Sequence, residues 1–189
     1  MIRAGSADKD FIVKILLASF DQNSSVNYII KQDNKRQKRI KGLMNYSFDL
    51  CFYFGSIFYS EDKKACALIL FPDKKKTSLK SILLDIKFII GCLDFPHLKK
   101  AMAREAKIKK SQLKGPTSYL WFIGVEPAEQ GKGIGSRLLQ NVLVDLEMKD
   151  RPILLETSNL QNVNWYENMG FTVYDQLHFG YTLYFMKKE

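Results

Sequence analysis

The chain is poor in cysteine and histidine, and both scarcities exclude classes of protein. Its 189 residues include three cysteines, Cys51, Cys66 and Cys92, which are far apart and lie in apolar surroundings. An odd number of such residues predicts reduced, buried thiols rather than a disulfide framework. Neither of the two histidines, His97 and His178, stands in a Cys/His spacing pattern, so no metal site is predicted.

Long apolar runs are missing as well. The nearest candidate, residues 82–93, is interrupted by Asp85 and Lys87, whereas a membrane span needs roughly 18 apolar residues. The N-terminus lacks the apolar core of a signal peptide, so we expect a cytoplasmic protein with no place in a membrane. The 46% of apolar residues is enough to fill one core, and a single domain over residues 1–189 is the expectation.

Positive charge is in excess, since 29 Lys and Arg residues oppose 20 Asp and Glu residues and leave a net charge of +9. The lysines gather in residues 31–41, 74–76 and 99–114. Nucleic acid, a phosphorylated cofactor and plain solvent are all compatible with such clusters. Because no nucleic-acid-binding motif accompanies them, a nucleic-acid partner is not expected.

Hydrophobic periodicity predicts alternating strands and helices. A hairpin is expected from residues 56–60 and 65–71, a buried strand from residues 119–125, and a regular helix from Ile134 onward. Two further helices, over residues 79–93 and 96–108, are expected between the hairpin and the buried strand. A helix over residues 33–54 is predicted upstream, and two strands around Gly180 at the C-terminal end. This order predicts an α/β (α+β) fold with a mixed sheet.

The segment most informative about chemistry is the glycine-rich stretch from Gln130 to Ser136, between the buried strand and the regular helix. Glycines let the backbone approach a ligand closely, and the start of a helix adds free N–H donors. The stretch lacks the Lys of a Walker A loop and the third glycine of a dinucleotide fingerprint. It fits the pattern Q/R-x-x-G-x-G/A through Gln130, Gly133 and Gly135.

With three further features in order, the sequence resembles the GNAT N-acetyltransferase superfamily. Residues 120–125 with Pro127 are similar to the family's central strand and its exit, and residues 155–159 (LETSN) to the following strand end. Residues 162–171 (NVNWYENMGF) are similar to the helix that closes the cofactor site. The residues of these last two segments are especially similar to the branch of the family that contains puromycin acetyltransferase.

The resemblance implies a mostly antiparallel central sheet flanked by helices, with a helical insertion, residues 77–111, between the third and fourth strands. It also implies acetyl-CoA as acetyl donor. The implied cofactor-binding residues are the strand backbone at Ile123, Gly124 and Val125, the loop Gln130, Gly131, Lys132, Gly133, Ile134, Gly135 and Ser136, and the side chains of Asn159 and Asn162.

The implied reaction is direct attack of an amine on the acetyl thioester. Tyr166 matches the family's general acid, while Glu156 is the candidate base and Glu126 a weaker one. A backbone N–H near Gly124 or Val125 would stabilise the oxyanion. An acetyl-cysteine route is not favoured, because no cysteine has a histidine close in sequence.

The acceptor stays open between a small-molecule amine and a peptide amine, and the oligomeric state is not predicted. The alternative function is a catalytically weak acyl-CoA-binding or nucleic-acid-binding module on the same fold. For the insertion we expect a lid over the acceptor side, with a dimer contact or a thicker core as alternatives. Its first helix is expected to pack through an apolar face of Leu79, Ile82, Leu83, Ile86 and Ile90.

Overall fold

The computed structural model describes residues 1–75 and 78–189, so that Lys76 of the second lysine cluster and Thr77 at the start of the predicted insertion lie outside the described residues. The strands are β1 (Ile2–Arg3), β2 (Gly55–Tyr59), β3 (Ala65–Leu70), β4 (Ser118–Val125), β5 (Ile153–Thr157), β6 (Thr172–His178) and β7 (Thr182–Lys188). The α-helices are α1 (Lys9–Ser19), α2 (Ser24–Ile29), α3 (Arg36–Phe54), α4 (Leu79–Cys92), α5 (Phe95–Ser111), α6 (Ile134–Glu147) and α7 (Leu160–Glu167).

All these strands form one sheet in the order β1-β2-β3-β4-β5-β7-β6. Neighbouring strands run antiparallel except β4 and β5, which are parallel. The predicted mixed, mostly antiparallel sheet flanked by helices is therefore confirmed.

Each face of the sheet carries its own core. Helices α1 and α3 cover one face, where Leu16, Met44 and Phe48 pack with strand residues such as Leu68. Helices α6 and α7 cover the other face with a second set of buried side chains, among them Leu139. Burial on both faces explains why β3 reads as a continuous apolar run. A buried strand was also predicted for β4, but there fully buried residues alternate with partly buried ones.

The parallel pair β4–β5 separates after a short ladder. Only residues 118–120 of β4 pair with β5, at residues 153–155, although β4 continues to Val125 and β5 to Thr157. On the other edge of β4 the register to β3 shifts at Leu68/Ile69, so that Trp121 is skipped. Such a bulge bends a strand and increases its twist. The bent end of β4, which no longer pairs with β5, leaves an opening in the middle of the sheet.

Two details of the helices differ from the sequence prediction. The short helix α2 was not expected, and α3 begins at Arg36 rather than near residue 33. Helices α4 and α5 occupy the stretch between β3 and β4. Across the described ranges, no helix combines the length and apolar character needed to cross a bilayer.

The expectation that α4 packs through its apolar face is wrong. Its side chains Leu79, Ile82, Leu83, Ile86 and Ile90 are exposed, with 82% of Leu79 and 79% of Ile90 accessible to solvent. The helix contacts α3 through its opposite face instead. There Asp85 accepts a hydrogen bond from the Tyr46 hydroxyl at 2.6 Å, and Phe88 stacks on the Tyr46 ring.

Candidate active site

A cavity of about 760 Å³ lies where β4 and β5 separate. Its wall is formed by the end of β4, the glycine-rich loop, the start of α7 and the segment between α1 and α2. Of the predicted site residues, the wall includes Ile123, Gly124, Val125, Gln130, Gly131, Gly133, Ile134, Gly135, Ser136, Asn159, Asn162 and Tyr166. Segments far apart in sequence thus converge on one cavity, as the sequence patterns predicted.

The glycine-rich loop is shaped by two left-handed residues. Gly131 and Gly133 have φ values of +78° and +76°, a region that side-chain-bearing residues rarely adopt. Gly133 is the N-cap of α6 and offers no side chain to its first N–H groups. These donors, together with the positive end of the helix dipole, form an anion site that opens into the cavity.

A third glycine of the loop, Gly135, allows close packing rather than an unusual φ. A Cβ at this position would lie 3.1 Å from the Val125 side chain. Next to it the Trp165 indole Nε1 donates to the Ser136 hydroxyl at 2.9 Å, which fastens α7 to the start of α6. The glycine loop, β4 and α7 are therefore held together at fixed positions around the cavity.

The end of β4 is held by α1. The Ser19 hydroxyl donates to the Val125 carbonyl at 2.7 Å, and the Gln130 side-chain amide donates to the same oxygen at 3.2 Å. A Cβ on Gly124 would lie 3.0 Å from the Ser19 oxygen, so glycine permits this close approach. The Val125 carbonyl thus already has partners inside the protein, whereas Gly124 pairs with Cys66 of β3 on the other edge of the strand.

The remaining predicted binding residues divide into two groups. Asn159 is the N-cap of α7, where its side chain accepts from the Gln161 N–H at 2.9 Å, and it also lies on the cavity wall with Asn162. Lys132 does not line the cavity, because its ammonium group pairs with Glu129 at 2.9 Å and its side chain is 59% exposed. The prediction for Lys132 concerns its backbone N–H within the loop, and it stays a prediction.

Tyr166 lies on the cavity wall within the core of α7. Its ring packs against Trp165 and Phe171, with centroid distances of 4.7 and 5.6 Å. Only 6% of the residue is accessible, and burial raises the pKa of its phenol well above the ordinary value. The hydroxyl is therefore a neutral proton donor at any physiological pH.

Glu156 of β5 does not line the cavity but lies behind it, against α5. Its carboxylate accepts from the Gln112 amide at 2.8 Å and also bonds to the buried Tyr119 hydroxyl. Burial raises the pKa of Glu156, and the hydrogen bond from Gln112 opposes part of that rise. The weaker candidate, Glu126, forms an ion pair with Lys64 at 3.0 Å on the far side of the hairpin.

Sequence reasoning missed the segment between α1 and α2, which supplies Ser19, Phe20, Gln22, Asn23 and Ser24 to the cavity wall. The Asn23 side chain accepts from the Val26 N–H at 3.0 Å and caps α2. An Asn followed by two serines is a helix-start signal that could have revealed this helix.

Helix α5 connects α2 to the β6–β7 hairpin. Arg104 donates to the Tyr181 hydroxyl at 2.9 Å and to the Ser25 hydroxyl at 2.6 Å. Nearby, the Lys100 ammonium lies 3.7 Å from the centre of the Tyr28 ring. Ile108 is buried against Leu183 and Phe185. The helix therefore spans the side of the sheet opening where Glu156 lies.

The three cysteines are free and buried, as predicted. Burial raises the pKa of the Cys51 and Cys66 thiols, and that of Cys92 to about 11. None of them lines the cavity. Since a thiolate is the reactive form of cysteine, these thiols are poor nucleophiles.

Comparison with known proteins agrees with this geometry. Residues 89–173, which include β4, the glycine-rich loop, β5 and α7, match the family model of the acetyltransferase (GNAT) domain. These matched residues, which are less than half of the chain, are similar to GNAT acetyltransferase domains. The prediction of an acyltransferase is thereby confirmed at the level of the domain, while the narrower likeness to puromycin acetyltransferases stays a prediction.

Individual relatives are more distant. The chain is 41% identical over 58 residues to the Uncharacterized N-acetyltransferase C550.08 of Schizosaccharomyces pombe, and these residues are 31% of this chain and 23% of that protein. A solved structure described as histone acetyltransferase HPA2 and related acetyltransferase, from Corynebacterium glutamicum, has a TM-score of 0.72 at 19% identity, covering 99% of this chain and 93% of the other. The C-terminal condensation domain of Ebony, solved with beta-alanyl-dopamine, has a TM-score of 0.70 at 12% identity, covering 100% and 97%. The two structures show a shared fold.

Proposed function

We propose that this protein is an acetyl-CoA-dependent N-acetyltransferase that transfers the acetyl group to a primary amine by direct attack. The observation that carries this proposal is the cavity at the β4–β5 opening, since the glycine-rich anion site, free strand backbone and Tyr166 all meet there. An acyl donor with a long polar arm and several phosphates suits such a combination of groups.

The glycine-rich loop and the end of β4 bind different parts of the acetyl donor. The N–H groups of Gly131 to Ser136 bind the pyrophosphate, because they begin α6 without a side-chain cap. The backbone of β4 at Ile123 to Val125, along the edge that no longer pairs with β5, binds the amides of the pantetheine arm as an added strand would. Asn159 and Asn162 contribute side-chain amides from the facing wall.

Three groups then serve the transfer. Glu156 accepts the ammonium proton through a water molecule, since it lies behind the cavity wall, and its raised pKa makes it a better base than an ordinary glutamate. The neutral amine attacks the thioester carbonyl, and a backbone N–H near Gly124 or Val125 stabilises the oxyanion. As the C–S bond breaks, Tyr166 donates its proton to the departing thiolate.

The acceptor reaches this chemistry from the side covered by α5. The hydrogen bonds of Arg104 to α2 and to the hairpin, and that of Gln112 to Glu156, support a role of residues 77–111 as a lid over the acceptor. We expect the amine to be selected on this side, because the donor half is committed to phosphate and pantetheine contacts.

The test uses the full chain with acetyl-CoA and a panel of amines, including polyamines, amino acids, aminoglycosides and peptides with free N-termini. We expect acetyl-CoA to raise the melting temperature and at least one amine to release free thiol from it. A second measurement, thiol release without any amine, separates an active enzyme from a binding module. If acetyl-CoA stabilises the protein but no thiol is released under either condition, the weak-binding alternative is correct. Absence of any stabilisation would refute the site itself.

A further inference from the structure

Helix α4 is amphipathic, but its apolar side faces solvent. At 100° per residue, Leu79, Leu83, Ile86 and Ile90 fall on one side of the helix, and we call them the α4 stripe. The opposite side contacts α3 through Asp85, Phe88 and Cys92. The contact with α3 is close, since a Cβ on Gly42 would lie 2.2 Å from the Cys92 sulfur. Rotating α4 to bury its stripe would break this contact.

The stripe is too exposed to be an ordinary part of the surface. Solvent reaches 82% of Leu79, 65% of Leu83, 46% of Ile86 and 79% of Ile90, although they lie in consecutive turns of one helix. Scattered exposed leucines are common, whereas a contiguous aliphatic patch marks a surface that contacts something else.

A second copy of the chain is a poor occupant. Helix α4 has 14 residues, so it is about 21 Å long, and a single helix of this length offers less surface than the roughly 800 Å² per partner that stable interfaces bury. A two-fold contact would also bring together the same basic surface of two chains that each carry +9.

The charges around the stripe favour an anionic partner. The nearby carboxylates are engaged inside the protein, Asp85 with Tyr46 and Lys75, and Asp94 with His97 and Lys31. The exposed Lys87 on α4 and Lys99 near the start of α5 enter no ion pair with the residues described, and Glu105 is the one exposed carboxylate described between residues 79 and 111. Aliphatic side chains next to unpaired lysines are typical of a helix that lies in the interface of a membrane.

We propose that α4 is a membrane-surface helix, which docks the protein on an anionic lipid bilayer by inserting the α4 stripe between headgroups while Lys87 and Lys99 contact lipid phosphates. This association is peripheral, so it needs no spanning helix. It would also bring α5, which we propose to cover the acceptor side, close to the bilayer.

The experiment measures co-sedimentation of the full chain with vesicles of phosphatidylcholine, with and without phosphatidylglycerol. We expect binding to the anionic vesicles that weakens as salt is raised, and little binding to the neutral ones. The double variant L79E/L83E should lower the partition coefficient at least about tenfold, because it removes two inserted side chains and adds two like charges.

A matched control is V144E/M148E on the opposite side of the molecule. These residues are similarly exposed, at 61% and 77%, have the same spacing, and add the same charge. An equal loss in both variants would mean that only net charge matters and would overturn the role of the stripe.

Absence of wild-type binding would overturn the proposal outright. A dimer in light scattering that L79E/L83E dissociates would assign the stripe to a second copy. An unchanged acetyl-CoA thermal shift in both variants verifies that they fold, independently of any catalytic activity.

Discussion

Helices α6 and α4 have similar lengths and clear apolar faces, yet they use those faces in opposite ways. Helix α6 buries its apolar face, including Leu138, Leu139 and Val142, against the sheet. Helix α4 turns its stripe to solvent and contacts α3 through a side that contains Asp85. A helical period therefore identifies which residues share a face, but it does not determine whether that face meets the protein's own core.

The comparison extends to the halves of the molecule in which these helices lie. The half that we propose to bind the donor, from β4 through α7, has its glycines and caps fixed by close contacts around one cavity. The half that we propose to bind the acceptor, with α4 and α5, contacts Glu156 through Gln112, while Arg104 bonds to Ser25 and Tyr181 outside the donor half. Changes in the two halves should therefore separate donor binding from acceptor turnover.

The largest effect is expected in the donor half, from Gly133→Val. A branched side chain would strain a residue with φ of +76° and would occupy the anion site, so we expect acetyl-CoA affinity to fall roughly a hundredfold or more. Titration of the thermal shift measures it. Gly115→Val, at φ +103° with open space around it, is the matched control for backbone strain. If both variants bind acetyl-CoA like the wild type, the loop does not hold the donor.

Tyr166→Phe should leave donor binding intact and reduce turnover about a hundredfold, because it removes only the proton donor. Free-thiol release at saturating acetyl-CoA gives the rate, and the thermal shift verifies binding. Phe171, which packs on the Tyr166 ring, offers a control through Phe171→Leu, which changes packing and keeps the phenol. Equal rates in Tyr166→Phe and wild type would reduce Tyr166 to a packing residue.

In the acceptor half, Arg104→Ala should raise the KM for the amine about tenfold while the affinity for acetyl-CoA stays unchanged. The substitution removes hydrogen bonds that join α5 to Tyr181 and Ser25, each worth about a factor of ten for a charged donor. Lys110→Ala, an exposed position on the same helix, is the control. A parallel loss of acetyl-CoA affinity would show that the two halves are not separable.

The smallest effect concerns pH. Since burial raises the pKa of Glu156, activity should fall as pH drops through that raised value, above the range of an ordinary glutamate. Gln112→Leu removes a donor that favours the charged carboxylate, so the pKa should rise further and the acidic limb of kcat/KM should move to higher pH. The same shift should be visible in a carboxyl-carbon NMR titration of Glu156. Glu156 would be excluded as the base if the acidic limb of kcat/KM did not move in Gln112→Leu and the NMR titration of Glu156 showed the pKa of an ordinary glutamate.

The sequence was most informative where a residue type has one physical use. The left-handed Gly131 and Gly133, the N-cap at Asn159 and the period of α6 all follow from local rules, and they located most of the cavity wall. The β4 bulge at Trp121 and the early separation of β4 from β5 depend on register, which no local pattern encodes.

Contacts between distant segments were also beyond local patterns. The hydrogen bond from Ser19 to Val125 joins residues 106 positions apart, and that from Gln112 to Glu156 joins residues 44 apart. The pairing of the Lys132 side chain with Glu129 was not predicted either, since the sequence pattern concerned only the backbone of this loop. Residues of one loop can therefore direct their side chains to different partners.

The three buried thiols give the molecule an internal set of probes. Cys66 lies in the sheet, Cys51 in α3, and Cys92 at the contact between α4 and Gly42 of α3. In the native state they should react slowly with a thiol reagent, so an assay that follows released coenzyme has a low background. Each thiol reacts only when its own neighbourhood opens, and labelling rates therefore rank the local opening free energies. We expect Cys92 to be labelled first, when α4 lifts away from α3, and Cys66 only on global unfolding.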